Sequence, residues 1–146
     1  IKDAVEDGKR ASEKGDPERE QVAVMAEEVF ELKKDYLFER VSLLREKLKV
    51  QESYIYVAFA RYELAKAKLV KKNNIRGAQD IEVEEFEAQV DEYVEAAKEV
   101  AQDFTAYEQE VEQVRQVGVT RREELQKASG GGLGSPWAED SALWGF

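Results

Sequence analysis

The sequence predicts an all-α fold: an elongated antiparallel helical hairpin of coiled-coil type with a flexible C-terminal tail. Three observations predict it. Charged residues make up 37% and hydrophobic residues 42% of 146 positions, with only two prolines, a composition suited to long helices rather than a compact α/β core. From Val22 onward apolar residues recur three and four apart, the spacing of a helix with one apolar face. No Pro or Gly interrupts Glu18 to Arg76. A helix of that length would run roughly 80 Å at ~1.5 Å per residue, so it must pair along its length to bury its apolar stripe.

Residues 1–15, "IKDAVEDGKRASEKG", are polar and hold Gly8 and Gly15. They read as a polar leader or a short helix. The first long helix begins at "GDPEREQ". Asp16 suits the cap and Pro17 the first helical position, while Glu18 and Glu20 favour the positive end of the helix dipole. Its predicted seam runs Val22, Met25, Val29, Leu32 and Tyr36. A stutter between Tyr36 and Val41 then moves the seam to Val41, Leu44, Leu48, Gln51, Ile55, Ala58, Tyr62, Ala65 and Leu69.

"KKNNIRGAQDIEVEEF" supplies the turn, near residues 73–80. Asn73 and Asn74 tolerate left-handed geometry, Gly77 is the expected C-cap, and Asp80 is the expected N-cap of the second long helix. That helix has a regular seam: Phe86, Val90, Tyr93, Ala97, Val100, Phe104, Tyr107, Val111 and Val114. Gly118 falls on the next seam position, where packing is expected to loosen, and Leu125 resumes the pattern. Folding at the turn lays Lys66, Lys68, Lys71 and Lys72 beside Glu82, Glu84, Glu85, Glu87 and Asp91. Exposed pairs of this kind contribute only ~0–1 kcal/mol each, so they set register while the seam supplies stability. The predicted hairpin spans residues 16–128.

Apolar residues beside the first seam exceed what one partner helix can cover: Phe30, Leu37, Phe38, Leu43, Tyr54, Tyr56, Val57 and Phe59. This excess predicts a third packing partner, which is the N-terminal segment, a second copy, or another protein. "SYIYVAFARYELAKAKL" concentrates Tyr54, Tyr56 and Phe59. Hairpin core with an amphipathic rim accounts for them, and so does a docking surface for another helix.

Residues 129–146, "SGGGLGSPWAEDSALWGF", carry both tryptophans. Glycines 130–132 and Gly134 make a tether, after which Ser135 and Pro136 suit the start of a short helical turn. Trp137 and Trp144 then lie seven apart on one face, with Leu143 and Phe146 beside them and Glu139 and Asp140 on the other side. This is the form of a short linear anchor for a protein partner. Three other readings account for the same residues: a clasp folded back on the hairpin, an engineered join, and insertion at a membrane interface.

Composition narrows the chemistry. There is no cysteine and no histidine, so disulfides, thiolate catalysis, Cys/His zinc sites and Glu-x-x-His di-iron sites are excluded. No Asp-x-Asp-x-Asp-Gly loop supports a calcium site. The glutamate runs "EVEEFE" and "EQEVEQ" read as a solvated helix face rather than paired catalytic carboxylates. The basic cluster from Lys66 to Arg76 reads as pairing with the acidic start of the second helix rather than as a phosphate site. Net charge is −10, which disfavours nucleic acid and anionic membrane as partners. No apolar run approaches the roughly 20 residues of a membrane span. The chain starts at Ile1 rather than Met, and the expectation is of a processed or truncated product, which leaves room for a signal peptide or lipid-bearing N-terminus upstream.

"YELAKAKLVKKNNI", followed by an acidic periodic helix, resembles helical-hairpin lipoproteins of the bacterial cell envelope, over roughly Val41 to Gln113. The resemblance implies a periplasmic location and tethering through an acylated N-terminal cysteine, which this chain does not contain. It also implies a role as structural spacer or accessory subunit.

The function expected is therefore non-enzymatic: a structural or adaptor protein without cofactor or metal. It docks on a protein partner through Trp137, Leu143, Trp144 and Phe146 of the tail and through Tyr54, Tyr56 and Phe59 of the helix. The alternative is a self-associating four-helix bundle acting as an envelope spacer, with the tail as a clasp.

Overall fold

The computed structural model describes residues 1–13, 15–75, 77 and 80–129. The described chain is all-helical, in the order α1 (Lys2–Glu13), α2 (Pro17–Lys72) and α3 (Val83–Ala128). The described residues divide into two compact units, residues 1–41 with 109–129, and residues 42–108.

Local chemistry sets the helix ends. The segment expected as a leader or short helix forms α1. It closes through Gly15 at φ 67°, with the Gly15 amide donating to the Ser12 carbonyl and the Asp16 amide to the Ala11 carbonyl. These two bonds are the Schellman pair that satisfies the last carbonyls of a helix. Asp16 then caps α2. Its Oδ1 accepts from the Arg19 amide at 3.2 Å, and its carbonyl accepts from the Glu20 amide, with Pro17 as the first helical residue.

The far end of α2 repeats the device with a different residue. The Asn74 amide donates to Lys71 and the Ile75 amide to Val70, and Asn74 takes the left-handed conformation at φ 48°. Asn74, not Gly77, is therefore the residue that turns the chain out of α2. Gly77, at φ 88°, serves the connection that follows. The expected cap of α3 also moves. The first amide–carbonyl bond at its start runs from Glu85 to Glu82, so Glu82 stands at the cap and Asp80 lies two residues before it. Lys71 Nζ donates to the Ile81 carbonyl at 3.2 Å and ties the end of α2 to the approach to α3.

In the first unit, α1 packs through small side chains. Ala4, Ala11, Ala23 and Ala26 are buried, and a Cβ added at Gly8 would lie 3.3 Å from the Ala23 Cβ. That distance leaves α1 almost no room for a larger residue at this position. Ala4, Ala26, Val29 and Leu125 form a core cluster, with Val22, Met25 and Phe30 packed against it. Of the surplus apolar residues beside the first seam, only Phe30 packs at this cluster, while Leu37, Phe38, Tyr54, Tyr56 and Phe59 stay exposed. Ion pairs frame this core. Arg19 reaches Asp7 at 2.6 Å, and Arg121 bridges Glu28 at 2.6 Å and Glu124.

In the second unit, Tyr56 stacks on Tyr93 with ring centroids 6.0 Å apart, and Lys68 meets Glu87 at 3.1 Å. Numbers rise along α2 as they fall along α3, so the two segments are antiparallel within this unit. The α3 seam is as expected: Ala97 and Val111 are buried, and Phe86, Val90, Tyr93, Phe104 and Tyr107 are half-buried. Gly118 is buried as well, and Leu125 beyond it is fully enclosed.

The α2 seam differs from expectation in its second half. No stutter occurs. Burial keeps a seven-residue repeat through Val29, Tyr36, Val50 and Val57, which are buried, with Val22, Leu43 and Leu64 half-buried on the same repeat. Ala60 and Ala67 complete the buried face. The expected seam of Val41, Leu44, Leu48, Ile55, Tyr62 and Leu69 is exposed instead, and so are Gln51, Ala58 and Ala65 between them. The physical reason lies in side-chain size. The covered face carries the small side chains Ala60 and Ala67, which allow close helix approach, where the opposite face carries the bulkier Tyr62 and Leu69.

Candidate functional site

At ~100° per residue, positions two apart on a helix point nearly opposite ways. Val57 and Ile55 stand in that relation, at 7% and 66% exposure. The same holds for Val50 and Leu48, and for Leu64 and Tyr62. Within the second unit α2 therefore carries two apolar stripes on opposite sides. One is covered. The other, Leu44, Leu48, Ile55, Tyr62 and Leu69, is open along its whole length. Its spacings of four, seven, seven and seven residues are those of core positions in a coiled coil.

Two of the residues expected to bind a partner border this stripe. Tyr54 and Phe59 are exposed and lie one and four residues from Ile55, on either edge. Tyr56 is placed differently. Its ring is still largely exposed, but it stacks on Tyr93 at an interplanar angle of 14°, so part of its face is already used within the unit. Trp137, Leu143, Trp144 and Phe146 lie outside the described residues.

The stripe is framed by positive charge. Residues 42–72 hold eight Lys/Arg against three Asp/Glu, whereas residues 83–108 hold one against nine. Lys49 pairs with Glu46 at 2.7 Å and Lys68 with Glu87. Arg45, Lys47, Arg61 and Lys66 flank the stripe and make no ion pair with any described residue. In coiled-coil terms these four occupy the flanking positions that read the charge of a partner helix, and Glu52 is the one acidic residue among them. From periodicity alone this stripe is the expected intramolecular seam, and the structure leaves it open.

Perturbed titration occurs elsewhere, in the first unit. Arg115 and Gln116 both donate to Glu112, which lowers the Glu112 carboxyl to about 2. Arg121 is raised by its hydrogen bonds to Glu124 and Glu28. These are exposed ion pairs on helix surfaces. The shallow depression lined by Gln116, Val117, Thr120, Arg121 and Glu124 is formed by consecutive turns of α3 alone. Among the described residues no group of three or more Asp and Glu is placed to hold a metal ion. No described helix is long and apolar enough to cross a membrane.

What the arrangement presents is a row of exposed apolar side chains with charged borders. Compared with known proteins, the chain matches no protein-family model, no curated protein and no solved structure.

Proposed function

We propose that this chain is a non-enzymatic helical adaptor, an antiparallel coiled-coil hairpin that holds a protein partner against one face of α2. The observation that supports the reading is the open stripe of Leu44, Leu48, Ile55, Tyr62 and Leu69. Scattered exposed apolar residues are ordinary on any protein surface, but a continuous row of them at core spacing marks an interaction site. Tyr54 and Phe59 extend it with the ring-bearing residue types enriched in interface cores. The aromatic segment with Trp137, Leu143, Trp144 and Phe146 serves in this reading as a second contact on the same partner.

A photo-crosslinking residue at position 55 tests the proposal in cells of the source organism, with position 99 on the polar face of α3 as the control. The expected result is one protein crosslinked from 55 and identified by mass spectrometry, absent from 99. Replacing Trp137 and Trp144 with Ala should lower the yield while leaving helicity unchanged. No adduct from 55, or the same set from both positions, rejects the reading.

A further inference from the structure

We infer that the open stripe of the second unit receives an acidic amphipathic α-helix from another protein. The inference rests on the adaptor reading and adds the chemistry of the partner.

The spacing selects a helix. Leu48, Ile55, Tyr62 and Leu69 repeat every seven residues. Over the three heptads from Leu48 to Leu69 a seven-residue repeat drifts about 60° around a straight α-helix, and a partner helix that winds with it keeps its core residues in register throughout. From Leu44 to Leu69 the stripe spans roughly 38 Å at ~1.5 Å per residue, enough for between three and four heptads.

The charge selects the sign. Arg45, Lys47, Arg61 and Lys66 border the stripe without ion-pair partners among the described residues. A partner helix with Asp or Glu at its own flanking positions answers all four cations. A second copy of this chain does not. Aligned in parallel, Lys47 of one copy meets Glu52 of the other, but Arg61 falls beside Lys66 and Arg40 beside Arg45, so like charges outnumber the opposite pair. Aligned antiparallel about the stripe centre, Arg45 falls beside Lys66. Like charges at flanking positions oppose pairing, so the occupant is a different chain.

The test uses the full chain and labelled four-heptad peptides with Leu and Ile at core positions. One peptide has Glu at every flanking position and the other has Lys. Fluorescence anisotropy at low salt should show saturable binding of the Glu peptide, at least about tenfold tighter than the Lys peptide. The Leu48→Gln/Ile55→Gln double variant should lose binding with unchanged circular dichroism, since both positions are exposed. The Arg61→Glu/Lys66→Glu variant should reverse the preference between peptides.

Equal affinity for the two peptides overturns the inference, as does a preference that survives charge reversal. Stripe-dependent binding to vesicles of phosphatidylcholine and phosphatidylserine, without peptide binding, overturns it in favour of a membrane. A stripe-dependent dimer at the assay salt overturns it in favour of a second copy. If the Glu peptide fails while position 55 still crosslinks an identified protein, this inference falls and the adaptor reading stands. If the peptide binds as expected while position 55 crosslinks nothing, the chemistry stands and the adaptor reading falls.

Discussion

Ile55 and Val57 show how much one step along a helix decides. Ile55→Gln changes a side chain already in water, so its cost should stay within about 0.5 kcal/mol. Val57→Gln places an amide where no described buried side chain is polar, and the expected loss is about 1–3 kcal/mol. Urea unfolding of both variants measures the difference, and equal costs would mean that the two faces are not distinct. Glu112 makes the corresponding case for charge. Its carboxyl is lowered from 4.5 to about 2, mainly by the Arg115 hydrogen bond and then by Gln116. A carboxyl lowered by folding contributes stability above its unfolded value, here 4.5, and loses it as pH falls through the folded value near 2. The side-chain carbonyl of Glu112, followed by NMR, should titrate near 2 and move toward 4.5 in Arg115→Gln. Because the pair is exposed, the effect on stability is small beside that of a buried residue such as Leu125.

At the scale of the element, the helix ends depend on single residues with positive φ. Asn74 is the one non-glycine residue described in that conformation, and Asn tolerates it because its short polar side chain bonds locally. Asn74→Val should therefore cost about 1–3 kcal/mol through backbone strain, while Asn74→Gly should be close to neutral. Thermal unfolding of the two variants separates cap geometry from side-chain bonding, since loss in both would implicate the Asn side chain itself. Much at this scale was legible in the sequence. Asp16 and Pro17 marked the start of α2, and the α3 seam from Phe86 to Val114 could be read directly because its positions are almost all large and apolar. The second half of the α2 seam could not. Its true positions include Glu39, Glu46 and Ser53, which interrupt the apolar pattern, while the opposite face offers Leu44, Leu48 and Ile55 at equally good spacing. Periodicity finds a stripe and does not say which partner the stripe meets. Packing decides that, and packing acts between elements. The same ambiguity hid the candidate site, since the residues assigned to the core are those that face outward. The aromatic C-terminal segment stays a reading of sequence alone.

For the whole molecule the relevant quantity is the distribution of charge. A net charge of −10 describes an acidic protein, yet residues 42–72 are basic and border the open apolar row of Leu44, Leu48, Ile55, Tyr62 and Leu69. Two forces act on any second copy approaching this row: burial of Leu48, Ile55 and Leu69 favours contact, and the Arg and Lys borders oppose it. Salt separates the two. The screening length is about 10 Å at 0.1 M and about 3 Å at 1 M, while apolar burial is not weakened by salt. The chain should therefore sediment as a monomer at 0.1 M salt and self-associate near 1 M, and Leu48→Gln/Ile55→Gln should abolish that association. Binding of an acidic helix should run the other way and weaken over the same range, because the attraction that selects it is screened. Sedimentation equilibrium across the salt series gives both slopes. Association that is already present at 0.1 M would show that the basic border does not keep copies apart. Opposite slopes for self-association and for acidic-peptide binding are the signature expected of a surface whose apolar row supplies adhesion and whose charged border chooses the partner.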